Sequence, residues 1–325
     1  MKTKRRELFG VGLAGAAAAM TGMPAVAQNF PSKPVRWIVP FAPAGNYDVT
    51  SRIVAEAMSR RLGQTVLVDN RPGAGGVVGL DAAVAAPADG YTVVMASFSV
   101  LGIAPYMAGK SSMVPLFAPI SILTTVPTLI VTRADSRFPD MKAALAEAKA
   151  KPGTVSIGHS GNGTINHVAD LQLQASENVK FNIIPYRGSG PGLADLMAGQ
   201  IDLYTDQLTT SLPLIRAGKI RPLLILGPNR ITQLPDVPSL KDLGIKPFDG
   251  STTAGVLARA ETPAAALDVL NAAVVAALND DDVKRKLVDL GAEVRPTSRA
   301  DFAAHLKEME AVVAELVKSG LLKPE

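Results

Sequence analysis

Three short glycine-rich segments hold most of the polar side chains that follow an apolar run in this chain. They are Pro40-Phe-Ala-Pro-Ala-Gly-Asn-Tyr-Asp48, Gly158-His-Ser-Gly-Asn-Gly-Thr164 and Tyr186-Arg-Gly-Ser-Gly-Pro191. Each follows a short β-branched stretch and precedes a segment with helical periodicity. In an α/β chain such loops gather at the carboxyl edge of a sheet, where backbone N–H groups and helix N-termini face one cleft. The chemistry on offer is the binding of a small anion.

Each segment contributes differently. Ala44, Gly45 and Asn46 are small enough to bring backbone amides close to a ligand, and Tyr47 adds a ring and a hydroxyl. Asp48 has two readings: an N-cap of the following helix, or a contact to a ligand hydroxyl or amine, or to an anion through water. Ser160, Gly161, Asn162, Gly163 and Thr164 offer hydroxyl, amide and backbone donors for charge-assisted bonds to a carboxylate. Ser160 or Thr164 also suits an N-cap, and His167, one turn further, either meets the ligand or packs. Arg187 is the one strong cation in these loops. It offers a planar fork to a carboxylate, or it is solvated. Ser189 and Gly190 precede Pro191, a good first helical residue. Asp206 and Gln207 close the next strand at the same edge, where they accept from a ligand or tie the hinge together.

Catalytic patterns fit poorly. Gly158-His-Ser160-Gly-Asn162 has Asn162 where a nucleophile elbow requires glycine. Gly73-Ala-Gly75 is followed by Val78, not by the third glycine of a dinucleotide fingerprint, and Gly109-Lys110-Ser111 has Ala104 in place of the first glycine of a phosphate loop. The chain has no cysteine, three histidines, and no His/Asp/Glu group at metal-ligand spacing. No catalytic residue, metal or cofactor is therefore expected. The rival readings are an exported serine hydrolase using Ser160, and a sensory or partner-binding protein.

The first 27 residues read as a twin-arginine-like export signal: a basic start with Arg5-Arg6, a short apolar stretch, and Ala25-Val26-Ala27 before a cut ahead of Gln28. The formal charge of the whole chain is +4, and this segment holds four Lys/Arg against one Glu, so the remainder is close to neutral. The basic character belongs to the signal, and nucleic acid is not an expected partner. No later apolar run reaches the roughly 18 residues of a membrane span. Roughly 300 residues remain, enough for a large core in one or two domains.

Strand, loop and helix alternate along that remainder. The spacing predicts strands at 35–39, 65–68, 91–96, 154–157, 181–184, 201–204 and 222–226, with helices between them, and closing helices near 263–278, 282–290 and 299–319. Two long extended stretches, near 120–132 and 250–258, bracket a self-contained α/β block. If both cross between lobes, lobe one is 28–126 plus 251–325 and lobe two is 127–250, joined by a two-strand hinge that closes around a ligand. Near-continuous apolar strands favour two mostly parallel sheets flanked by helices. The alternative is one doubly wound sheet.

Over nearly this whole length the chain resembles the Bug receptors, the solute-binding proteins of tripartite tricarboxylate transporters. The resemblance rests on Pro31-Ser-Lys-Pro-Val-Arg-Trp-Ile-Val-Pro-Phe-Ala-Pro43, then Gly45, Asp48 and Arg52, and on Leu62-Gly-Gln64, Asn70-Arg-Pro-Gly-Ala-Gly-Gly76 and Asp89-Gly-Tyr-Thr92. It continues through Pro119-Ile120, Pro185-Tyr-Arg-Gly188, Ala217-Gly-Lys219 and Leu234-Pro-Asp-Val-Pro238. It implies a periplasmic, two-lobed type II binding protein without catalytic activity. Such a monomer would deliver a small carboxylate to a membrane permease, gripping it with backbone amides, small polar side chains and ordered waters. The matching positions are Ala44 to Asp48, Gly75-Gly76-Val77, Ser160 to Thr164 with His167, Arg187 to Gly190, and Asp206. The chain departs from the family at Ala44-Gly45, usually Gly-Gly, at Asn46-Tyr47, usually a small pair, and at Ser251-Thr252-Thr253, where an aromatic-Gly pair is common. These departures bear on the ligand more than on the fold: Tyr47 narrows the pocket or stacks on an aromatic acid.

Overall fold

Val35, Trp37, Ile38 and Val39 are all fully buried, so β1 (Val35–Val39) is covered on both faces, as its unbroken apolar run requires. The computed structural model describes residues 30–324, and the export signal expected at 1–27 lies outside the described residues. From β1, α1 (Asn46–Leu62) leads to β2 (Val66–Asn70), and α2 (Val77–Val84) leads to β3 (Thr92–Ser97). Both strands pair parallel with β1. A π-helical turn at Ser99–Ile103 runs into the short α3 (Ala104–Met107), where the sequence pattern is weak, and β4 (Phe117–Val126) follows.

Pro127 then separates β4 from β5 (Thr128–Arg133), and the chain passes from one sheet to another. The second sheet is built from α4 (Met141–Ala150), β6 (Ser156–His159), α5 (Ile165–Glu177), β7 (Asn182–Pro185), α6 (Ser189–Met197), β8 (Leu203–Gln207), α7 (Leu208–Arg216) and β9 (Ile220–Ile225). Residues 226–251 return the chain to the first sheet as β10 (Thr252–Arg259). There α8 (Ala264–Leu278), α9 (Asp281–Asp289), β11 (Glu293–Val294) and α10 (Arg299–Lys318) finish the lobe. The strand orders are β11-β4-β10-β3-β1-β2 and β7-β6-β8-β5-β9. The molecule is thus a two-lobed α/β protein.

Most strands in each sheet run in one direction, as expected, with antiparallel exceptions at β10 and β11 in the first sheet and β5 in the second. In the first sheet β1, β2, β3 and β4 run one way, and in the second β6, β7, β8 and β9 do, as successive strands joined by right-handed crossovers require. The two strands that arrive through the hinge do not. β10 inserts antiparallel between β3 and β4, and β5 inserts antiparallel between β8 and β9. A strand entered without an intervening helix has no crossover to restore its direction.

The loops at the carboxyl ends of the two sheets touch. Ala42 N–H donates to the Arg187 carbonyl at 2.9 Å. A Cβ on Gly163 would lie 2.3 Å from Ala104 Cα, and one on Gly75 would lie 2.0 Å from the Asn162 carbonyl oxygen. Gly75 also holds φ +61°, a left-handed conformation that costs other residues roughly 1–2 kcal/mol. Gly75→Ala is expected to hold the lobes apart while each still folds. Small-angle scattering should give a larger radius of gyration than for the parent protein; an unchanged radius would show that this glycine does not set the approach.

Candidate ligand-binding cleft

A cavity lies where the lobes meet, spanning about 350 Å³ together with its mouth and the solvent open to it. Lobe one lines it with Phe41, Gly45, Asn46, Tyr47, Ser99 and Val100. Lobe two contributes Ser160, Thr164, Ile165, Asn166, Gly188, Ser189 and Gln207, and the hinge strand contributes Thr252. None of these residues is charged. Three helices begin here: α1 after Gly45, α5 after Thr164 and α6 after Gly188. Gly188 has φ 133° and ψ 175°, a region open essentially to glycine alone. The first N–H groups of a helix lack intrahelical partners, and the summed peptide dipoles give that end roughly half a positive charge. Three such ends around one uncharged cavity favour an anion.

Hydrogen bonds fix the polar wall. Gln207 Nε2 donates to Asn166 Oδ1 at 2.6 Å and to Thr252 Oγ1 at 3.2 Å, tying the cavity floor to the hinge strand. Asn166 Nδ2 donates to the Thr205 carbonyl, and Thr205 Oγ1 to Asp170. Across the lobes, Thr209 Oγ1 donates to Asn46 Oδ1 at 2.8 Å. Two buried groups on the cavity wall have no hydrogen-bond partner: Asn46 Nδ2 and Ser160 Oγ. An unpaired buried polar group costs about 1–3 kcal/mol, so whatever enters the cavity gains by satisfying them.

Of the residues singled out by sequence, Gly45, Asn46, Tyr47, Ser160, Thr164 and Ser189 line the cavity. Others sit close by without lining it. Ala44, Gly161, Asn162, Gly163 and Gly190 belong to the loops that bring the lobes together; a Cβ on Gly190 would lie 2.7 Å from the Pro43 carbonyl oxygen. Gly76 and Val77 start α2 behind Phe41 and Val100.

The charged residues require correction. Asp48 is not the cap of α1 but lies in its first turn, where Oδ2 accepts Ala44 N–H at 2.9 Å and Oδ1 accepts Arg52 Nε–H at 3.0 Å. Burial pushes its pKa up, but the hydrogen bonds from Arg52 and Ala44 outweigh that and bring it below the usual carboxylate value. Arg187 holds its side chain in solvent, because its backbone carbonyl is the part that faces lobe one. Asp206 is turned into lobe two, where Thr210 and Ser211 donate to it; burial raises its pKa. His167 is packed against His159.

The lining also includes Gly188 and Gln207, both named from sequence, and Phe41, Ser99, Val100, Ile165, Asn166 and Thr252, which were not among the sequence-derived ligand residues. Asn166 and Ile165 were legible as the first residues of α5. Ser99 and Val100 lie in the π-helical turn, which has no sequence periodicity to read.

Residues 50–320 match the family model described as tripartite tricarboxylate transporter family receptor. The chain belongs to the Bug receptor family. BugT of Bordetella pertussis is 34% identical over 283 residues, covering 85% of this chain and 86% of that protein. MatC from Rhodopseudomonas palustris, solved with bound malate, is 30% identical with a TM-score of 0.81, covering 86% of this chain and 97% of that one. A second R. palustris protein, solved with adipate, is 28% identical with a TM-score of 0.85, covering 91% of this chain and all of that one.

In this Bug receptor the glycine loop after β6 is shaped by two neutral imidazoles. The His159 and His167 rings stack with centroids 4.4 Å apart and planes 8° apart. His159 Nδ1 accepts Gly161 N–H, and His167 Nδ1 accepts Gly163 N–H. Burial lowers the His167 pKa to about 4, and burial together with the neighbouring ring lowers that of His159 well below 6.5.

The unfolded chain therefore protonates both groups below about pH 6.5 while the native protein does not. Stability falls as pH drops from 6.5 toward 4. Buried Asp170 and Asp206, whose pKa values burial raises, act in the opposite sense, since the native state keeps their protons above pH 3.8. A His167→Asn variant isolates one part. Compared with the parent, its stability should decline less between pH 7 and 4, by about 2–3 kcal/mol, read from urea unfolding at each pH. Parallel curves would refute the assignment of a neutral His167.

Proposed function

We propose that this receptor captures a small organic carboxylate in the interlobe cavity and presents it to the membrane permease of a tripartite tricarboxylate-type transporter. The observation that carries the reading is the convergence of the α1, α5 and α6 N-termini on a cavity with no charged lining residue. Family membership and two relatives solved with dicarboxylates support it. Ligand contacts from both lobes favour the closed arrangement over an open one by differential affinity. Lobe one comprises 28–126 with 251–325 and lobe two 127–250. The protein is exported by its twin-arginine signal and works as a periplasmic monomer.

Binding without catalysis is part of this proposal, and membership of a receptor family supports it. Ser160 Oγ has no base within hydrogen-bond reach, and the Nδ1 atoms of both nearby histidines are occupied by glycine N–H groups. Thermal unfolding against a panel of carboxylates and matched carboxamides tests the proposal. At least one carboxylate should raise the melting temperature while its amide does not, with no hydrolysis of ester or amide substrates. Asn46→Ala should weaken that carboxylate about tenfold, near 1.4 kcal/mol, whereas Arg187→Met should leave affinity within about threefold. A strong loss in Arg187→Met, or amides equal to acids, would count against this site.

A further inference from the structure

A second cavity lies at the hinge and shares no lining residue with the first. It spans about 550 Å³ together with the solvent open to it. Thr252 lines the interlobe cavity while its neighbour Ser251 lines this one, because successive residues of an extended segment point to opposite sides. Both crossings between the lobes contribute, the outgoing one through Pro127 and Thr128, the returning one through Asp249 and Ser251. Hydrogen bonds hold this wall together. Leu226 N–H donates to the Thr128 carbonyl and Gly250 N–H to the Leu226 carbonyl, both at 2.9 Å.

The floor is apolar, made by Pro127, Ile225, Leu226 and Ile231. Thr128 is buried among them, and its Oγ1 has no hydrogen-bond partner among the described residues. The rim carries one exposed charge of each sign, Arg230 and Asp249. Arg230 donates from Nε to Asp242 and from Nη1 to the Pro235 carbonyl, which leaves Nη2 free among the described residues. Asp249 Oδ1 accepts Ser251 N–H at 2.8 Å, which leaves Oδ2 free in the same sense. A net anion entering here meets the Asp249 carboxylate, and a net cation meets the Arg230 guanidinium. An uncharged apolar molecule pairs with neither. A zwitterion with an apolar side chain pairs with both charges and covers the floor.

We infer that the hinge cavity is a second ligand site, which takes an α-amino acid with an apolar side chain. The carboxylate accepts from Arg230 Nη2, and the ammonium donates to Asp249 Oδ2 and Thr128 Oγ1. The side chain lies on Ile225, Leu226 and Ile231. This assignment is independent of the ligand of the interlobe cavity.

Amide NMR titration of the isotope-labelled protein with leucine and valine tests it. Resonances of Thr128, Gly227 and Ser251 should shift and saturate. The better amino acid should bind there at least tenfold tighter than its amide and its deaminated acid. Asp249→Asn keeps an acceptor for Ser251 N–H but removes the charge, and should weaken that amino acid at least tenfold. Thr128→Val should weaken it at least threefold without loss of stability in urea, because the hydroxyl it removes is unpaired. No shift at these residues, or an amide or deaminated acid equal to the amino acid, would overturn the inference. Shifts confined to Gly45, Asn46 and Ser189 would also overturn it, by placing the amino acid in the interlobe cavity. Unchanged affinity in both folded variants would do the same.

Discussion

The rest of the structure is arranged around the need to bring the positive ends of helices from two separate lobes to one point without a cationic side chain. A lysine or arginine enclosed there would have to shed its hydration, a cost of several kcal/mol that only a well-placed partner offsets. Helix ends carry no such cost, because their N–H groups are already ordered by the helix behind them. α1 and α6 start at Gly45 and Gly188 with no side-chain cap, so their first amides are left for the cavity. α5 differs, since Thr164 occupies one of its N–H groups, and its wall is completed by Asn166 instead.

That requirement dictates the topology between the lobes. The outgoing crossing at Pro127 and the incoming strand β10 lie side by side, with Thr252 paired to Val126. Thr252 therefore belongs at once to the hinge and to the cavity, and Gln207 connects it to Asn166 at the start of α5. The cleft floor and the pivot share one hydrogen-bonded chain. Movement of the lobes about the hinge must strain or break a bond that also positions the binding wall.

Most elements were legible because their signals are local. Apolar strands and helices of period 3.6 fall within a few residues of where the periodicity puts them, as with α4, α8 and α10. The two-lobed division followed from the pair of extended stretches. What could not be read depends on partners far apart in the chain. The insertion of β10 between β3 and β4 is a pairing choice that periodicity does not encode. Arg187 was attractive as the one cation in the three loops, yet its orientation is decided by Ala42, which takes its carbonyl and sends its side chain outward. Asp48 had two readings, a cap or a ligand contact; the helix begins two residues earlier, and the carboxylate works from the first turn. The role of Asn46 depends on Thr209, 163 residues away.

The contacts between the lobes leave closure to the ligand, which suits a receptor. Closure gains the Asn46–Thr209 and Ala42–Arg187 hydrogen bonds, together worth about 1–3 kcal/mol at the usual net value per bond. It also encloses Asn46 Nδ2 and Ser160 Oγ without partners, at about 1–3 kcal/mol each. The penalty, about 2–6 kcal/mol for the two groups, is roughly twice the gain, so on these groups alone the open form is favoured. A ligand that supplies acceptors to both orphan groups removes the penalty and keeps the gain. Its differential affinity then determines the population of the closed form. Asn46 serves both sides of that balance, with Oδ1 engaged by the opposite lobe and Nδ2 awaiting the ligand, which makes it the point where occupancy and closure are coupled.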